Sequence, residues 1–76
     1  MTVFEQVKQQ VITQFKLKNV DIKESTNLFD DLDFDSLDAV ELVIELEELY
    51  KIELLDKEAE GIKTMRDIVA LIESKR

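Results

Sequence analysis

The apolar residues near the start of the chain recur at intervals of three and four positions. Because an α-helix completes a turn every 3.6 residues, this spacing places their side chains on one face. The pattern predicts a first helix from about Val3 to Phe15 with one buried stripe. The residues of that stripe are Val3, Phe4, Val7, Val11, Ile12 and Phe15.

The regular spacing is lost between Leu17 and Asp35, where the chain is mostly polar. A connection of this length is uncommon in a small domain unless it is held in place or has a function. We expect its apolar side chains to anchor it against the helices, with a short helical turn near Thr26 to Phe29. The anchoring residues are Ile22, Leu28, Phe29, Leu32 and Phe34.

Helical spacing returns at Ser36 and continues to Tyr50, which predicts a second helix. A third, short helix is expected from about Asp56 to Glu60. Gly61 follows it directly and is a candidate for a residue in the left-handed conformation that ends the helix.

The last apolar stripe predicts a fourth helix from Met65 to about Ser74, with Thr64 as N-cap and Asp67 at the capping-box spacing. Its buried residues are expected to be Met65, Ile68, Val69 and Ile72. The chain has 76 residues, so one domain over residues 1–76 is expected. The predicted fold is all-α: a four-helix bundle with one short helix and a long loop between the first two helices.

The second helix carries apolar side chains on two sides when its residues are placed at about 100° each. The core side contains Ala39, Leu42, Val43, Leu46, Leu49 and Tyr50. The opposite side contains Leu37, Val40 and Ile44, surrounded by Glu41, Glu47 and Glu48. These three apolar residues are either scattered surface residues, which are common, or a docking stripe whose acidic border attracts a basic partner. We favour the docking stripe.

Acidic side chains are concentrated in the middle of the chain. Residues 30 to 60 contain thirteen of the eighteen acidic side chains and two of the ten basic ones, a charge of −11 in a total of −8. Because nucleic-acid phosphates would be repelled, partners with basic surfaces are expected instead. Loose binding of divalent cations is expected, but no dedicated metal site, since the EF-hand-like run from Asp31 lacks the required glycine and final glutamate.

The chain has no cysteine and no histidine, which excludes thiol nucleophiles, zinc-finger sites and Ser-His-Asp catalysis within it. No apolar run approaches the roughly 18 residues of a membrane span. The start of the sequence has no signal-peptide pattern. We therefore expect a cytoplasmic protein that is not an enzyme.

Ser36 stands at the head of the acidic second helix. Serine in this place usually caps the helix, but Asp35 can do so here, and Asp38 then occupies the third helical position, where a negative charge is favourable. Ser36 would then have an exposed hydroxyl without a structural task. With no base to activate it, this hydroxyl suits modification by another enzyme, and an attached phosphodiester would lie near the helix N-terminus. An ordinary surface serine remains the alternative.

The run "DSLD" at residues 35–38, followed by "AVELVIELEELY", resembles the acyl carrier protein family. The similarity extends over nearly the whole chain, including its length, its acidity, the long loop and the segment "DKEAEGIKTMRDIVALI". Two positions differ from the usual family pattern. Asp33 stands where members often have glycine, and the connection to the third helix lacks the frequent proline.

The resemblance implies that Ser36 receives 4′-phosphopantetheine from coenzyme A, transferred by a separate magnesium-dependent enzyme. Asp35 would help that enzyme hold its metal, and Leu37 completes the attachment motif. The arm would carry acyl groups as thioesters between fatty acid synthesis enzymes, with the chain acting as a monomer. Those enzymes and the transferase would dock on the acidic second helix, at Leu37, Asp38, Val40, Glu41, Ile44, Glu47 and Glu48. Two alternatives stay open: a carrier for a specialised polyketide, peptide or cell-wall pathway, and an unmodified acidic adaptor.

An acyl tail carried in this way gains from burial, because burial removes apolar surface from water and protects the thioester. The tail must enter near Ser36, between the core face of the second helix and the elements that close over it. The expected pocket is lined by Leu28, Phe29, Leu32, Val43, Leu46, Ala59 and Ile62. Ordinary packing without a pocket is the alternative.

Overall fold

A computed structural model of the chain describes residues 2–76. Within that range it contains four helices and no strand. They are α1 (Val3–Gln14), α2 (Ser36–Tyr50), α3 (Asp56–Glu60) and α4 (Met65–Lys75). The predicted all-α fold with a short third helix is confirmed. None of these helices has the length and apolar character needed to cross a membrane.

The helices pack around one apolar core. α1 packs mainly against α4, and α2 contacts both α1 and α3. The buried stripes agree with the predicted periodicity in α1 and α4, because Val3, Val7 and Val11 lie inside together with all four predicted residues of α4. In α2 the buried positions are Leu42 and Leu46. Leu49, predicted on the core side, is instead 51% exposed. It lies about 60° around the helix from Leu46 and in the last turn, so it falls at the edge of the stripe.

Helix α1 begins and ends with local interactions that the sequence explains. Thr2 and Glu5 form a capping box, in which the Thr2 hydroxyl accepts the Glu5 N–H and the Glu5 carboxylate accepts the Thr2 N–H. The helix ends at Gln14, one residue before the predicted end, because Phe15 is already its C-cap. The Phe15 ring packs against Phe34 with a centroid distance of 4.4 Å, which fixes the far end of the long loop beside α1.

The long loop is held against the start of α4 by backbone hydrogen bonds. The Leu28 N–H donates to the Lys63 carbonyl at 2.8 Å, and the Met65 N–H donates to the Thr26 carbonyl at 3.0 Å. Ile22, Leu28 and Phe34 are buried, as predicted for anchoring residues, and Phe29 and Leu32 pack partly against the core. The helical turn covers residues 28 to 32, about two residues later than predicted. The Asn27 side chain accepts the N–H groups of Phe29 and Asp30, so the turn starts after Asn27.

Glycine is not used where the chain needs a left-handed conformation. Gly61 has a φ of −81°, so the predicted left-handed stop after α3 is wrong. The right-handed turn continues to Gly61, and the Gly61 N–H donates to the Glu58 carbonyl. Positive φ angles occur instead at Lys16, Asn19, Asp33 and Lys51, and Lys51 is the left-handed C-cap of α2.

None of the side chains of α3 is buried, so the helix is held by the buried Leu54 and Ile62 on either side of it and by polar contacts. The Glu58 carboxylate accepts the Leu55 N–H at 2.9 Å and forms a salt bridge of 2.9 Å with Lys75 of α4. Just before α3, the Leu54 N–H donates to the Glu47 carboxylate of α2 at 2.8 Å. These contacts position α3 beside the first half of α2.

Candidate functional site

Asp35 caps helix α2 and leaves Ser36 at the first helical position, as predicted. The Asp35 carboxylate accepts the Asp38 N–H at 2.9 Å, and the Asp38 carboxylate accepts the Asp35 N–H at 3.1 Å. This reciprocal pair satisfies backbone donors that a helix start would otherwise leave without partners. Capping therefore does not require the neighbouring serine.

Ser36 is exposed, and its hydroxyl makes no hydrogen bond to any group in residues 2–76. The hydroxyl lies at the first turn of a 15-residue helix, where free N–H groups and the helix dipole favour an attached anion. Within residues 2–76 no carboxylate accepts a hydrogen bond from this hydroxyl and so could activate it, and the serine is therefore suited to accept a group from another enzyme.

A cleft of about 480 Å³ lies beside Ser36, between α2 and α3. Its volume falls within the range of small-molecule sites in proteins. Most of its lining is apolar. The lining residues are Phe29, Ser36, Ala39, Val40, Val43, Asp56, Ala59, Glu60 and Ile62.

Four of the seven predicted pocket residues line this cleft: Phe29, Val43, Ala59 and Ile62. The other three do not. Leu28 and Leu46 are fully buried in the core among the helices, and the half-buried Leu32 packs against that core outside the cleft. The centre of the core is therefore already filled, and the open space lies closer to α3 than the sequence suggested.

Ala39, Asp56 and Glu60 also line the cleft but are not among the predicted pocket residues, and Val40 is predicted only for docking. Helical periodicity contains a signal for two of them, because Ala39 and Val40 stand three and four residues after Ser36 and share its side of α2. Asp56 and Glu60 could not be placed without knowing which face of α3 turns towards α2.

The proposed docking stripe is exposed along α2. Leu37, Val40 and Ile44 are 64%, 52% and 49% exposed, and Glu41 and Glu48 beside them are also exposed. The other two acids have structural partners: one oxygen of Asp38 accepts the Asp35 N–H, and one oxygen of Glu47 accepts the Leu54 N–H. Each of these carboxylates keeps a second oxygen for a partner.

Among residues 2–76 no three acidic side chains converge closely enough to hold a metal ion. Loose cation binding by the acidic segment stays a prediction for the molecule as a whole.

Comparison with known proteins identifies the family. The family model of the phosphopantetheine attachment site matches residues 5–72. The chain is 46% identical to the acyl carrier protein of Helicobacter hepaticus and 42% identical to that of Wolinella succinogenes, over 76 residues that cover 100% of both sequences in each comparison.

Solved structures agree in fold. The acyl carrier protein from Enterococcus faecalis superimposes with a TM-score of 0.81 at 32% identity, covering 100% of both chains. The acyl carrier protein from Thermotoga maritima gives a TM-score of 0.77 at 24% identity, covering 93% of this chain and 86% of the other, and supports the fold alone. The family match, the identities and the exposed serine beside an apolar cleft lead to one conclusion: the chain belongs to the acyl carrier proteins, carriers that hold acyl groups on a covalently attached 4′-phosphopantetheine arm.

Proposed function

We propose that Ser36 is the attachment point of the 4′-phosphopantetheine arm and that the chain carries acyl intermediates between enzymes of fatty acid biosynthesis. The observation that supports this most directly is the exposed Ser36 hydroxyl, which Asp35 releases from capping, at the mouth of an apolar cleft. The thiol at the end of the arm supplies the thioester chemistry. The chain's own residues hold the arm at a helix start and provide surfaces for the enzymes that use it.

The α2 N-terminus supports a phosphodiester on the Ser36 oxygen. Free backbone N–H groups and the helix dipole favour a negative group there, while Asp35 and Leu37 flank the serine. Asp35 has a second role in this proposal. One of its oxygens accepts the Asp38 N–H, which leaves the other available to a metal ion brought by the phosphopantetheinyl transferase.

The exposed side of α2 is the proposed docking surface for the transferase and the synthesis enzymes. Leu37, Val40 and Ile44 give an apolar contact, and the acids Asp38, Glu41, Glu47 and Glu48 give a border that attracts basic partner surfaces. Glu41 and Glu48 have the larger expected effect on association, because neither is engaged in a hydrogen bond within residues 2–76.

The cleft beside Ser36 is the proposed shelter for the acyl tail. Its lining residues Val43, Ala59 and Ile62 offer apolar walls directly beside the attachment point. A tail placed there would leave water, and its thioester would be less exposed to hydrolysis.

Intact-mass measurement after incubation with coenzyme A and a phosphopantetheinyl transferase tests the attachment. We expect one phosphopantetheine adduct on the wild type and none on Ser36→Ala. Ser25→Ala is the matched control, since Ser25 is also exposed but lies in the loop, and it should be modified fully. An adduct that persists on Ser36→Ala would refute the assignment.

The pathway is tested with the loaded protein. We expect malonyl loading and chain extension by the enzymes of fatty acid synthesis, and a loss of extension rate on charge reversal at Glu41 or Glu48 that shrinks as salt is added. If those enzymes fail to use the loaded wild type while enzymes of a polyketide, peptide or cell-wall pathway accept it, the carrier serves a specialised pathway instead.

A further inference from the structure

Two carboxylates face the cleft beside Ser36. Asp56 and Glu60 stand four residues apart on α3, so they lie on one side of that helix, and both line the cleft. Among the described residues that line the cleft, Ser36, Asp56 and Glu60 have the polar side chains, and both acids are exposed. The cleft thus combines apolar walls with a negatively charged rim.

No salt bridge neutralises this rim in the described part of the chain. Neither Asp56 nor Glu60 takes part in a salt bridge, and no lysine or arginine lines the cleft. The nearest base along α3, Lys57, stands three residues before Glu60, but its side chain lines the groove towards α4 and forms no salt bridge with either acid within residues 2–76. The acid at position 58 is paired with Lys75 and also lines that other groove. α3 therefore presents two unpaired acids to the cleft and its ion pair to α4.

We infer that Asp56 and Glu60 make the cleft selective for the charge of the acyl tail: it shelters uncharged tails and turns away tails that end in a carboxylate. This inference rests on the proposed role of Ser36 and of the cleft. An anionic tail end would meet two like charges beside a low-dielectric wall, where repulsion is stronger than in bulk water. A tail of equal length that ends in an ammonium group would be attracted by the same rim.

Comparing the two charged tails separates the rim from ordinary hydrophobic burial. Either ion loses hydration on entering an apolar cleft, so an apolar cleft without a charged rim would disfavour both. Nearby negative charge distinguishes them. The acids of α2 also contribute to the difference between ammonium and carboxylate tails, so the part that is lost when Asp56 and Glu60 are neutralised measures the effect of the rim.

The test loads Ser36 with three thioesters, using a transferase and the corresponding coenzyme A derivatives. They are octanoyl and the same chain ending in a carboxylate or in an ammonium group. The readouts are the melting temperature of each loaded form relative to the unacylated form, and the NMR shifts of the Ile62 methyl groups.

For the wild type we expect the largest rise in melting temperature with octanoyl and the smallest with the carboxylate tail. The ammonium tail should exceed the carboxylate tail by roughly 5 °C. In Asp56→Asn/Glu60→Gln most of that gap should be lost while the octanoyl increment stays. Glu60→Gln alone should reduce the gap by about half. Glu53→Gln/Glu73→Gln removes the same number of charges away from the cleft and should keep the gap.

Two results would overturn the inference. If octanoyl raises the melting temperature and shifts Ile62, but the gap between the charged tails is absent or survives unchanged in Asp56→Asn/Glu60→Gln, the rim does not select by charge while the cleft still holds the tail. If octanoyl itself has no effect on either readout, the cleft is not the acyl site, and both this inference and the proposed shelter are refuted. Intact-mass measurement reports the attachment at Ser36 independently of the melting temperature and the NMR shifts.

Discussion

At the scale of single residues, Asp33 has a backbone conformation that most side chains avoid. Its φ is 58°, and it stands at the position where the family resemblance places glycine. Glycine adopts this left-handed conformation without the steric cost that a Cβ atom brings. We predict that Asp33→Gly raises the free energy of unfolding by up to about 1 kcal/mol, measured by urea denaturation.

Asp33→Asn is the control for charge, because it removes the same carboxylate but keeps a side chain. Removing a carboxylate from the acidic segment also reduces the repulsion between its charges. This part of the gain in the free energy of unfolding is the same in both variants. If Asp33→Gly is no more stable than Asp33→Asn, glycine has no net advantage over a side chain in this conformation.

Asp67 gives a residue-scale prediction about pH. Its pKa is lowered from an ordinary value of 3.8, chiefly because its carboxylate accepts the Thr64 N–H, and a second bond from the Lys63 N–H adds to this. A carboxyl with a lowered folded-state pKa stabilises the fold above its unfolded pKa, and the contribution is lost as the pH falls through the folded value. We expect Asp67→Asn to be less stable than the wild type at pH 7.

That difference in the free energy of unfolding should disappear as the pH is lowered from about 3.8 through the folded-state pKa. Urea denaturation across this range measures it. Glu73→Gln is the control on the same helix, since Glu73 is exposed and has no cap to maintain. A destabilisation by Asp67→Asn that persists unchanged at the lowest pH would show that charge is not its cause.

At the scale of helices, the start of α2 separates a structural residue from a functional one. Asp35 makes the capping bond, and Ser36 makes none within residues 2–76. We predict that Asp35→Ala lowers the free energy of unfolding by about 1 kcal/mol, because the Asp38 N–H loses its acceptor. Ser36→Ala should unfold almost as the wild type does. Equal destabilisation by both substitutions in urea would show that Ser36 shares the capping role.

The helices themselves could be predicted because periodicity and capping agree along most of the chain. α2 and α3 have the predicted bounds, and Thr64 caps α4 in the predicted box with Asp67. Turn geometry was harder to predict. Two of the left-handed positions, Lys16 and Lys51, are occupied by lysine, which gives no signal for that conformation. Asn19 and Asp33 belong to types that are enriched in it, but the same types are also common in other turn conformations.

The sequence predicts Ser36 but only part of the cleft beside it, because the two depend on different interactions. The position of Ser36 follows from helix capping, which is local in sequence. The walls of the cleft depend on how α3 is rotated, and the Glu58–Lys75 salt bridge and the Glu47–Leu54 hydrogen bond contribute to that rotation. Both contacts use partly buried polar side chains, which leave no apolar period in the sequence.

Ala59 on α3 is the position at which a larger side chain can test whether the cleft holds the acyl tail. It is a small, partly buried residue in the lining of the cleft. Acyl forms of the wild type should melt at higher temperature as the chain lengthens, because each buried CH₂ contributes up to about 0.8 kcal/mol. In Ala59→Trp a large side chain would fill the space, and this dependence on chain length should vanish.

Ala70→Trp is the matched control, since Ala70 is exposed on α4 and lies in the groove on the other side of α3. It should keep the dependence on chain length. A wild type whose melting temperature is the same for short and long acyl chains would mean that the tail lies outside the cleft.

At the scale of the whole molecule, charge is divided unevenly. Residues 30 to 60 carry −11, and the rest of the chain carries +3. Folding brings the acidic residues of α2 and α3 closer together than they are in the expanded chain, so their repulsion lowers the free energy of unfolding. The same charge attracts basic partners over distances of about a Debye length. Partner attraction and the stability of the free protein thus change in opposite directions with this charge.

This division of charge leads to the prediction that millimolar magnesium stabilises the fold. Divalent cations accumulate near dense negative charge and bind the folded state in preference to the expanded chain. Because no compact group of three acids is present in residues 2–76, the binding should be weak and spread over the acidic segment. We expect the melting temperature to rise with magnesium concentration beyond the rise given by sodium chloride at matched ionic strength.

Glu45→Gln/Glu53→Gln should reduce this excess, whereas Glu24→Gln/Glu73→Gln, outside the segment, should keep it. A melting temperature that stays constant on addition of magnesium, or an excess that both variants reduce equally, would show that the acidic segment does not limit the stability of the fold.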